Sequence, residues 1–417
     1  VTASAFTALF LALLGLSLAV RVWLALRQIR SVAAHRGAVP ERFADRVTLA
    51  AHQKAADYTA VRTRFGLLGL AVETAVLLAL TLGGGIAALH GFWQGAIGSE
   101  TSPILYGLAL ILSVMAVSGV VEIPLGLYRQ FVIEERFGFN RMTLGLYVAD
   151  ALKGALLGLL IGAPVLAAVL WLMGRMGELW WLWVWAFWCG FNLLLLFVYP
   201  TWIAPLFNKF APLQDGELKG RIEALLARCG FAASGLFVMD GSKRSAHGNA
   251  YFTGFGRNKR IVFFDTLIER LSPAEIEAVL AHELGHFKRR HIAKRIGLTF
   301  ALSLGFLWLL GQLIEAPWFF DGLGVPVANT ALALTLFFLA VPVFTFPFTP
   351  LSSLLSRRHE YEADDYAAEH ASAADLVRAL VKLYEDNAAT LTPDPLHSLF
   401  YDSHPPAALR VAHLQGG

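Results

Sequence analysis

Apolar residues along this chain gather in seven long runs, and charge returns between them. The runs occupy residues 5–26, 65–89, 104–127, 151–172, 179–198, 296–314 and 331–348. Each is near the length that an α-helix needs to cross the ~30 Å hydrocarbon layer of a bilayer. The pattern therefore predicts seven transmembrane helices. The first run has no small-residue cleavage site followed by polar sequence, so it is expected to be an anchor and not a signal peptide. Arg21, Glu73, Glu122, Lys153 and Asn192 interrupt the runs or flank them. Ionisable groups are unfavourable in lipid, so such residues are expected to face an interior or a water-filled space. Arg21 and Lys153 lie close enough to span ends for their heads to reach the interface instead.

Residues 199–295 follow a different pattern. Residues 215–229 repeat with helical period, whereas 235–239 and 260–264 are short apolar runs that fit strands. Residues 249–255 lie between these two and alternate less cleanly. Leu271-Ser272-Pro273-Ala274-Glu275 predicts a helix start, with Ser272 as N-cap, Pro273 at the first helical position and Glu275 closing a capping box. Ile276, Val279, Leu280, Leu284 and Phe287 continue the helix. The expected organisation has four segments: membrane helices in 1–198, a cytosolic α+β part in 199–295, two further spans in 296–348 and a polar tail in 349–417.

Composition agrees with the spans: 56% of residues are hydrophobic and 16% charged, against about a quarter charged in soluble domains. The mean hydropathy is +0.57. The net charge of +3 is small, and the basic residues sit beside apolar spans. That gives no case for a nucleic-acid-binding domain. Residues 27–64, 129–150, 199–295 and the tail hold nearly all the Lys and Arg, while the loops around Glu100, Glu178 and Asp321 hold almost none. The positive-inside rule then places the N-terminus outside and residues 199–295 and the tail in the cytosol. The basic run at 288–295 is explained as a flank of that kind. Arginine far outnumbers lysine, and alanine and leucine abound, which points to a bacterial source and a cell-membrane location. The chain starts at Val1, which suggests a trimmed start. Cys189 and Cys229 lie in unlike surroundings, so neither a disulfide nor a cysteine zinc site is expected.

The chemistry centres on His282-Glu283-Leu284-Gly285-His286, which matches H-E-x-x-H. On a helix His282 and His286 share one face, so two imidazoles can hold one Zn²⁺ while Glu283 reaches a water as general base. A catalytic zinc usually takes a third protein ligand. Ser356-Arg357-Arg358-His359-Glu360-Tyr361-Glu362-Ala363-Asp364 offers one. Glu360 and Asp364 are four apart on an expected helix, where one carboxylate can bind metal and the other can fix the tautomer of a ligand histidine. On spacing alone, Glu362 or His359 serves as well as Glu360.

H-E-L-G-H together with S-R-x-x-E-x-x-A-D resembles the zinc-dependent type I CAAX prenyl endopeptidases, with the HtpX-type membrane proteases as more distant relatives. The resemblance extends through Phe131-Val132-Ile133-Glu134-Glu135 with Gly138-Phe139-Asn140, Tyr199-Pro200, Ala204-Pro205-Leu206-Phe207-Asn208 and Gly241-Ser242-Lys243-Arg244-Ser245. It continues in His247 with Asn249-Ala250-Tyr251 and in Ser403-His404-Pro405-Pro406. It implies a mainly helical membrane protein, about seven spans around an intramembrane chamber, with a small α+β gluzincin-like zinc peptidase unit facing into it. It implies one Zn²⁺ per chain on His282, His286 and Glu360, Glu283 as the base, and Asp364 as partner of a ligand histidine. His404 matches a histidine that donates to the oxyanion. His247, Asn249 and Ala250 match an edge strand beside the substrate, and Arg410 matches a nearby arginine that is grouped with these expected substrate contacts. The tail Leu414-Gln415-Gly416-Gly417 lacks the dilysine retrieval signal of eukaryotic members, which argues against the endoplasmic reticulum membrane, the alternative address.

The expected function is a membrane-embedded zinc metalloendopeptidase that removes residues after a prenylated cysteine. Its expected partners are a peptide or protein substrate and the bilayer, with no nucleic acid. A quality-control protease of the HtpX type shares the chemistry and differs in substrate. A scaffold or transporter with a structural metal is the alternative of another class, and Glu283 argues against it, because a structural site needs no base.

Overall fold

The computed structural model describes residues 1–253 and 260–416. Among the described residues, seven helices are long and apolar enough to cross a membrane. The first is α1 (Ala3–Ala34), started by the Thr2 hydroxyl accepting from the Ala5 N–H. Next is α2 (Leu49–Leu80), capped in the same way by Thr48. It begins well before the apolar run that predicted it. Helical hydrogen bonding does not stop where lipid stops, so α2 carries its polar first half out of the membrane. It also ends before residue 89, because the chain turns at Gly83 and at Gly84, whose φ is 79°. A separate α3 (Gly85–Ala96) follows.

The third span is α4 (Pro103–Tyr128), which passes into a wider π-type turn at Arg129–Glu134. Then come α5 (Leu144–Arg175) and α6 (Trp180–Val198). Phe10, Leu110, Phe319, Phe320, Leu332 and Leu336 belong to one apolar core shared by the spans. Arg21 lies over the Phe346 ring at 4.3 Å, and Lys153 donates to the Leu206 carbonyl at 3.3 Å.

Beyond α6 the chain builds a four-stranded sheet in the order β1-β2-β4-β3. Its elements are β1 (Phe210–Pro212), α7 (Glu217–Arg228), β2 (Gly235–Met239), β3 (Ala250–Thr253) and β4 (Arg260–Phe264). Strands β2 and β4 are parallel, and β3 pairs antiparallel with β4 through Ala250 opposite Phe263. The segment at 249–255 thus supplies an edge strand; its Gly254 and Phe255 lie outside the described residues, as does Gly417. Ile261 and Phe263 of β4 are fully buried in the same core as Ala281 and Leu284.

After β4 come α8 (Asp265–Arg270) and α9 (Pro273–Lys288). The sixth span, α10 (His291–Leu313), is followed by a short α11 (Pro317–Asp321). The seventh, α12 (Thr330–Thr345), leads through one tight turn at Phe346–Phe348 into α13 (Thr349–His370). The first helix of the tail therefore continues the last span. Three helices complete the fold, α14 (Ala373–Asp386), α15 (Pro395–Tyr401) and α16 (Ala407–Gly416).

Polar seams join the membrane and peptidase parts. Arg244 reaches Asp150 of α5 at 2.8 Å, Asn208 at 2.6 Å and the Phe207 carbonyl at 2.6 Å. Glu134 accepts from the Tyr58 hydroxyl at 2.7 Å and lies 3.8 Å from His247. Several sequence blocks that carry the resemblance are these seams.

Candidate metal centre and active site

Helix α9 starts at a fixed point. The Ser272 hydroxyl accepts from the Glu275 N–H, and the Glu275 carboxylate accepts from the Ser272 N–H at 2.8 Å and from Lys382 at 2.7 Å. From that start, helical geometry places His282 and His286 one turn apart on one face. Their Nε2 atoms are 3.2 Å apart.

Close packing brings the third group to them. Gly285 lies between the two histidines, and a Cβ placed there would be 2.9 Å from Ala363 Cα and 3.0 Å from Tyr366 Cβ. With glycine facing alanine, α13 approaches α9 backbone to backbone. Glu360, one turn before Ala363, then reaches across. Its Oε1 is 3.3 Å from His286 Nε2, and its Oε2 is 3.5 Å from His282 Nε2. Ligand atoms of all three residues lie within 4.8 Å of one another.

Asp364, one turn after Glu360, is fully buried. Its Oδ1 is 2.8 Å from His282 Nδ1, and Arg410 of α16 grips it with two bonds, at 2.9 and 2.6 Å. A charge-assisted, two-pronged pair of this kind fixes the carboxylate in place. The carboxylate accepts from Nδ1–H, so His282 presents a lone pair at Nε2. Burial opposes charge on His282, but its bonds to Asp364 and Glu360 outweigh that and push its pKa up to about 9 when no metal is there. The Arg410 pKa also rises: burial lowers it, and the bond to Asp364 more than offsets this.

These residues fit a metal ion. Glu360 Oε2 is buried and has no partner of full hydrogen-bond geometry, and His404 Nδ1 lies 2.6 Å from it. Two imidazole nitrogens and a Glu360 oxygen converge within 4.8 Å of one another, where a bound cation would take the place of the proton that the raised His282 pKa favours. Two nitrogens and one carboxylate oxygen make a donor set suited to zinc and other borderline cations.

A cavity of about 850 Å³ opens over the centre. Glu283, His404, Asn249, Ala250 and Tyr384 line it. Glu283 is half-buried beside His282, and the His404 side chain is exposed. Asn249 and Ala250 begin the edge strand β3, and Asn249 O accepts from the Phe264 N–H at 2.9 Å. His247 is held from several sides: its Nδ1 is 2.8 Å from Asn387 Oδ1, and its ring stacks on Phe139 at 4.5 Å. Arg410, grouped with substrate contacts in the sequence reading, is 5% exposed and engaged with Asp364. His359 and Glu362, the other candidate third ligands, lie on other faces of α13; Glu362 contacts His291 at 3.0 Å.

Sequence reasoning missed two residues here. Arg357 donates to Ser398 Oγ at 2.8 Å and to the Asp402 carbonyl at 3.3 Å, which ties the His404 loop to α13. Burial pushes the Tyr384 hydroxyl up to about 12, so it stays protonated, and it donates to the Pro405 carbonyl at 3.4 Å. Arg357 stands inside S-R-x-x-E, so its signal was present without a role.

Two family models match the chain. The CAAX prenyl protease N-terminal region with five membrane helices matches residues 28–209, and peptidase family M48 matches 212–417. A protein of Arabidopsis thaliana named CAAX prenyl protease 1 homolog is 38% identical over 316 residues, 75% of this chain and 74% of the relative. The human CAAX prenyl protease 1 homolog is 34% identical over 394 residues, 83% of this chain and 82% of its own. The crystal structure of S. mikatae Ste24p superposes with a TM-score of 0.91 at 31% identity, covering 98% of this chain and 99% of that one. Matches that run this evenly through spans, sheet and tail leave no part of the chain to another architecture, and the chain belongs to peptidase family M48 as a membrane-embedded metalloendopeptidase of the CAAX prenyl protease 1 type.

Proposed function

We propose that the metal is zinc, one per chain, held by His282, His286 and Glu360, and that the enzyme cleaves after the prenylated cysteine of CAAX proteins. The observation that carries this reading is the convergence of two histidines and a buried carboxylate oxygen beside Glu283, at the wall of an 850 Å³ cavity. Zinc bound there supplies Lewis acidity that brings a water's pKa towards neutrality and polarises the scissile carbonyl. Glu283 takes the proton from the attacking water and delivers it to the leaving amine. His404 donates to the oxygen that becomes negative. Asp364 holds His282 by Nδ1, and Arg410 holds Asp364. The outer edge of β3, from Ala250, is available to pair with an extended peptide, and Asn249 and His247 set its start.

The placement of the centre on the cytosolic side is supported by the arginine-rich loops, and the bacterial cell membrane by the arginine-rich composition. The named relatives are eukaryotic, which keeps the endoplasmic reticulum membrane as the second address. Within the four-segment organisation, the division of spans from peptidase parts is supported by one core for the spans and another that joins residues of 199–295 to Tyr366, Ala367 and Leu376 of the tail.

One experiment tests the substrate and His404 together. Zinc-loaded protein is given a farnesylated CAAX peptide and the same peptide unmodified. The farnesylated peptide is expected to be cut faster, and equal rates would favour the quality-control reading. On the better peptide, His404→Ala should lower kcat by about 10²–10³-fold, as loss of one oxyanion donor does, with KM and zinc content unchanged. Near-normal kcat in folded, zinc-loaded protein would remove His404 from the mechanism.

A further inference from the structure

The second ligand histidine has an outer partner that no reading of the sequence assigned. His291, the first residue of α10, is 3% exposed, although it stands in the basic run 288–295. Its Nδ1 is 2.9 Å from His286 Nδ1, and its Nε2 is 3.0 Å from Glu362 Oε2. Arg358 donates to the other Glu362 oxygen at 3.0 Å. The His359 ring stacks on His291 at 4.0 Å with an interplanar angle of 11°. The backbone is bent to place this ring: Arg290 takes φ 57°, in the left-handed region that a side chain disfavours. Such strain persists where surrounding contacts enforce it.

We propose that Glu362 and His291 form a relay that positions His286 for the metal. A carboxylate only accepts, so the Glu362 contact assigns the His291 proton to Nε2. His291 Nδ1 is then an acceptor, and the 2.9 Å contact is satisfied only by Nδ1–H of His286. That leaves the His286 lone pair on Nε2, the atom facing Glu360 Oε1 at 3.3 Å and His282 Nε2 at 3.2 Å. Each ligand histidine thus has its tautomer set by a carboxylate of α13: His282 directly by Asp364, His286 through a second ring by Glu362. The stack on His359 holds the relay ring in the plane this requires. His291 and Glu362 are positioning residues and touch neither metal nor substrate.

The proposal rests on the reading that His282, His286 and Glu360 hold zinc. The test measures the zinc dissociation constant by chelator competition, the visible spectrum of the cobalt(II)-substituted chain and the melting temperature of the metal-free chain. His291→Phe keeps the ring and its stack and removes both nitrogens. It should weaken zinc by about 10–100-fold, the range for loss of an outer hydrogen bond to a ligand, and shift the cobalt bands. His291→Asn offers an oxygen near the place of Nδ1 and should bring affinity and spectrum back towards those of the native chain. Metal-free melting temperatures measure what each variant loses in folding, since Phe leaves His286 and Glu362 without a partner, and the cobalt bands read the ligand geometry apart from that loss. Equal losses in the Phe and Asn variants would overturn the relay, as would unchanged affinity in His291→Phe. If the Phe variant does not fold, Glu362→Leu, at a side chain 27% exposed, carries the test: weakened zinc and shifted bands support the relay, and unchanged ones overturn it. A native chain that holds no zinc overturns the metal reading and the relay with it, whereas native binding with unaltered variants overturns the relay alone.

Discussion

Glu283→Gln is expected to keep its metal and lose about 10²–10⁴-fold in kcat, the contribution of a positioned general base. The amide has nearly the shape of the carboxylate and cannot take a proton from water. Glu283 adjoins His282 on α9 and faces the cavity, half-buried, so the substitution removes no packing from the core. His282, His286 and Glu360 keep their contacts, and metal content by elemental analysis should match the native protein. KM should change little, because the proton moves only in the transition state. Substantial turnover by the variant, once contaminating protease is excluded, would sink the assignment.

Glu360→Ala should release the metal and with it essentially all turnover. Glu360 is 3% exposed and brings one oxygen to each histidine, at 3.3 and 3.5 Å. Without it two nitrogens remain where a catalytic zinc takes three protein ligands. The loss of affinity should exceed the roughly 10–100-fold that follows removal of an outer partner. Glu362→Ala is the control, since that carboxylate bonds His291 and Arg358. Its loss should fall inside that range and leave measurable activity. Elemental analysis after dialysis against a weak chelator checks both variants. If Glu362→Ala empties the site while Glu360→Ala stays loaded, the choice of ligand is wrong.

The spans were legible because lipid imposes one demand on every residue of a run. The strands at 235–239 and 260–264 were legible because they are short and apolar on both faces, and their bounds match β2 and β4. The capping box at Ser272 marked the start of α9 to the residue. Hydropathy misjudged helix ends where the helix outlasts the membrane, as in α2, or where glycines break an apolar run, as at Gly83 and Gly84. It also hid that α13 continues the seventh span, because polarity changes there and backbone direction does not. Glu360 and Glu362 could not be told apart by chemistry: two carboxylates two residues apart point to different sides of a helix, and only the position of α9 decides which side is inward. His291 was hidden for a related reason. Among Lys288, Arg289, Arg290, Lys294 and Arg295 it passes for one more basic residue, and its burial depends on a turn at Arg290 that has no sequence signature.

The near contact of Gly285 with Ala363 bears on how the motif itself should be written. H-E-x-x-H leaves its third and fourth letters open, as if they carried no information. In this fold the fourth is fixed by geometry, because any larger side chain meets the backbone of α13 before that helix is close enough for Glu360 to reach the histidines. Overfilling so tight a crossing costs about 1–3 kcal/mol or pushes the helices apart. A pattern that joins H-E-x-G-H to a distant E-x-x-A thus encodes an interhelical distance as well as a set of ligands. Anyone grafting this centre onto another helix pair would have to carry over the two small residues with the three ligands.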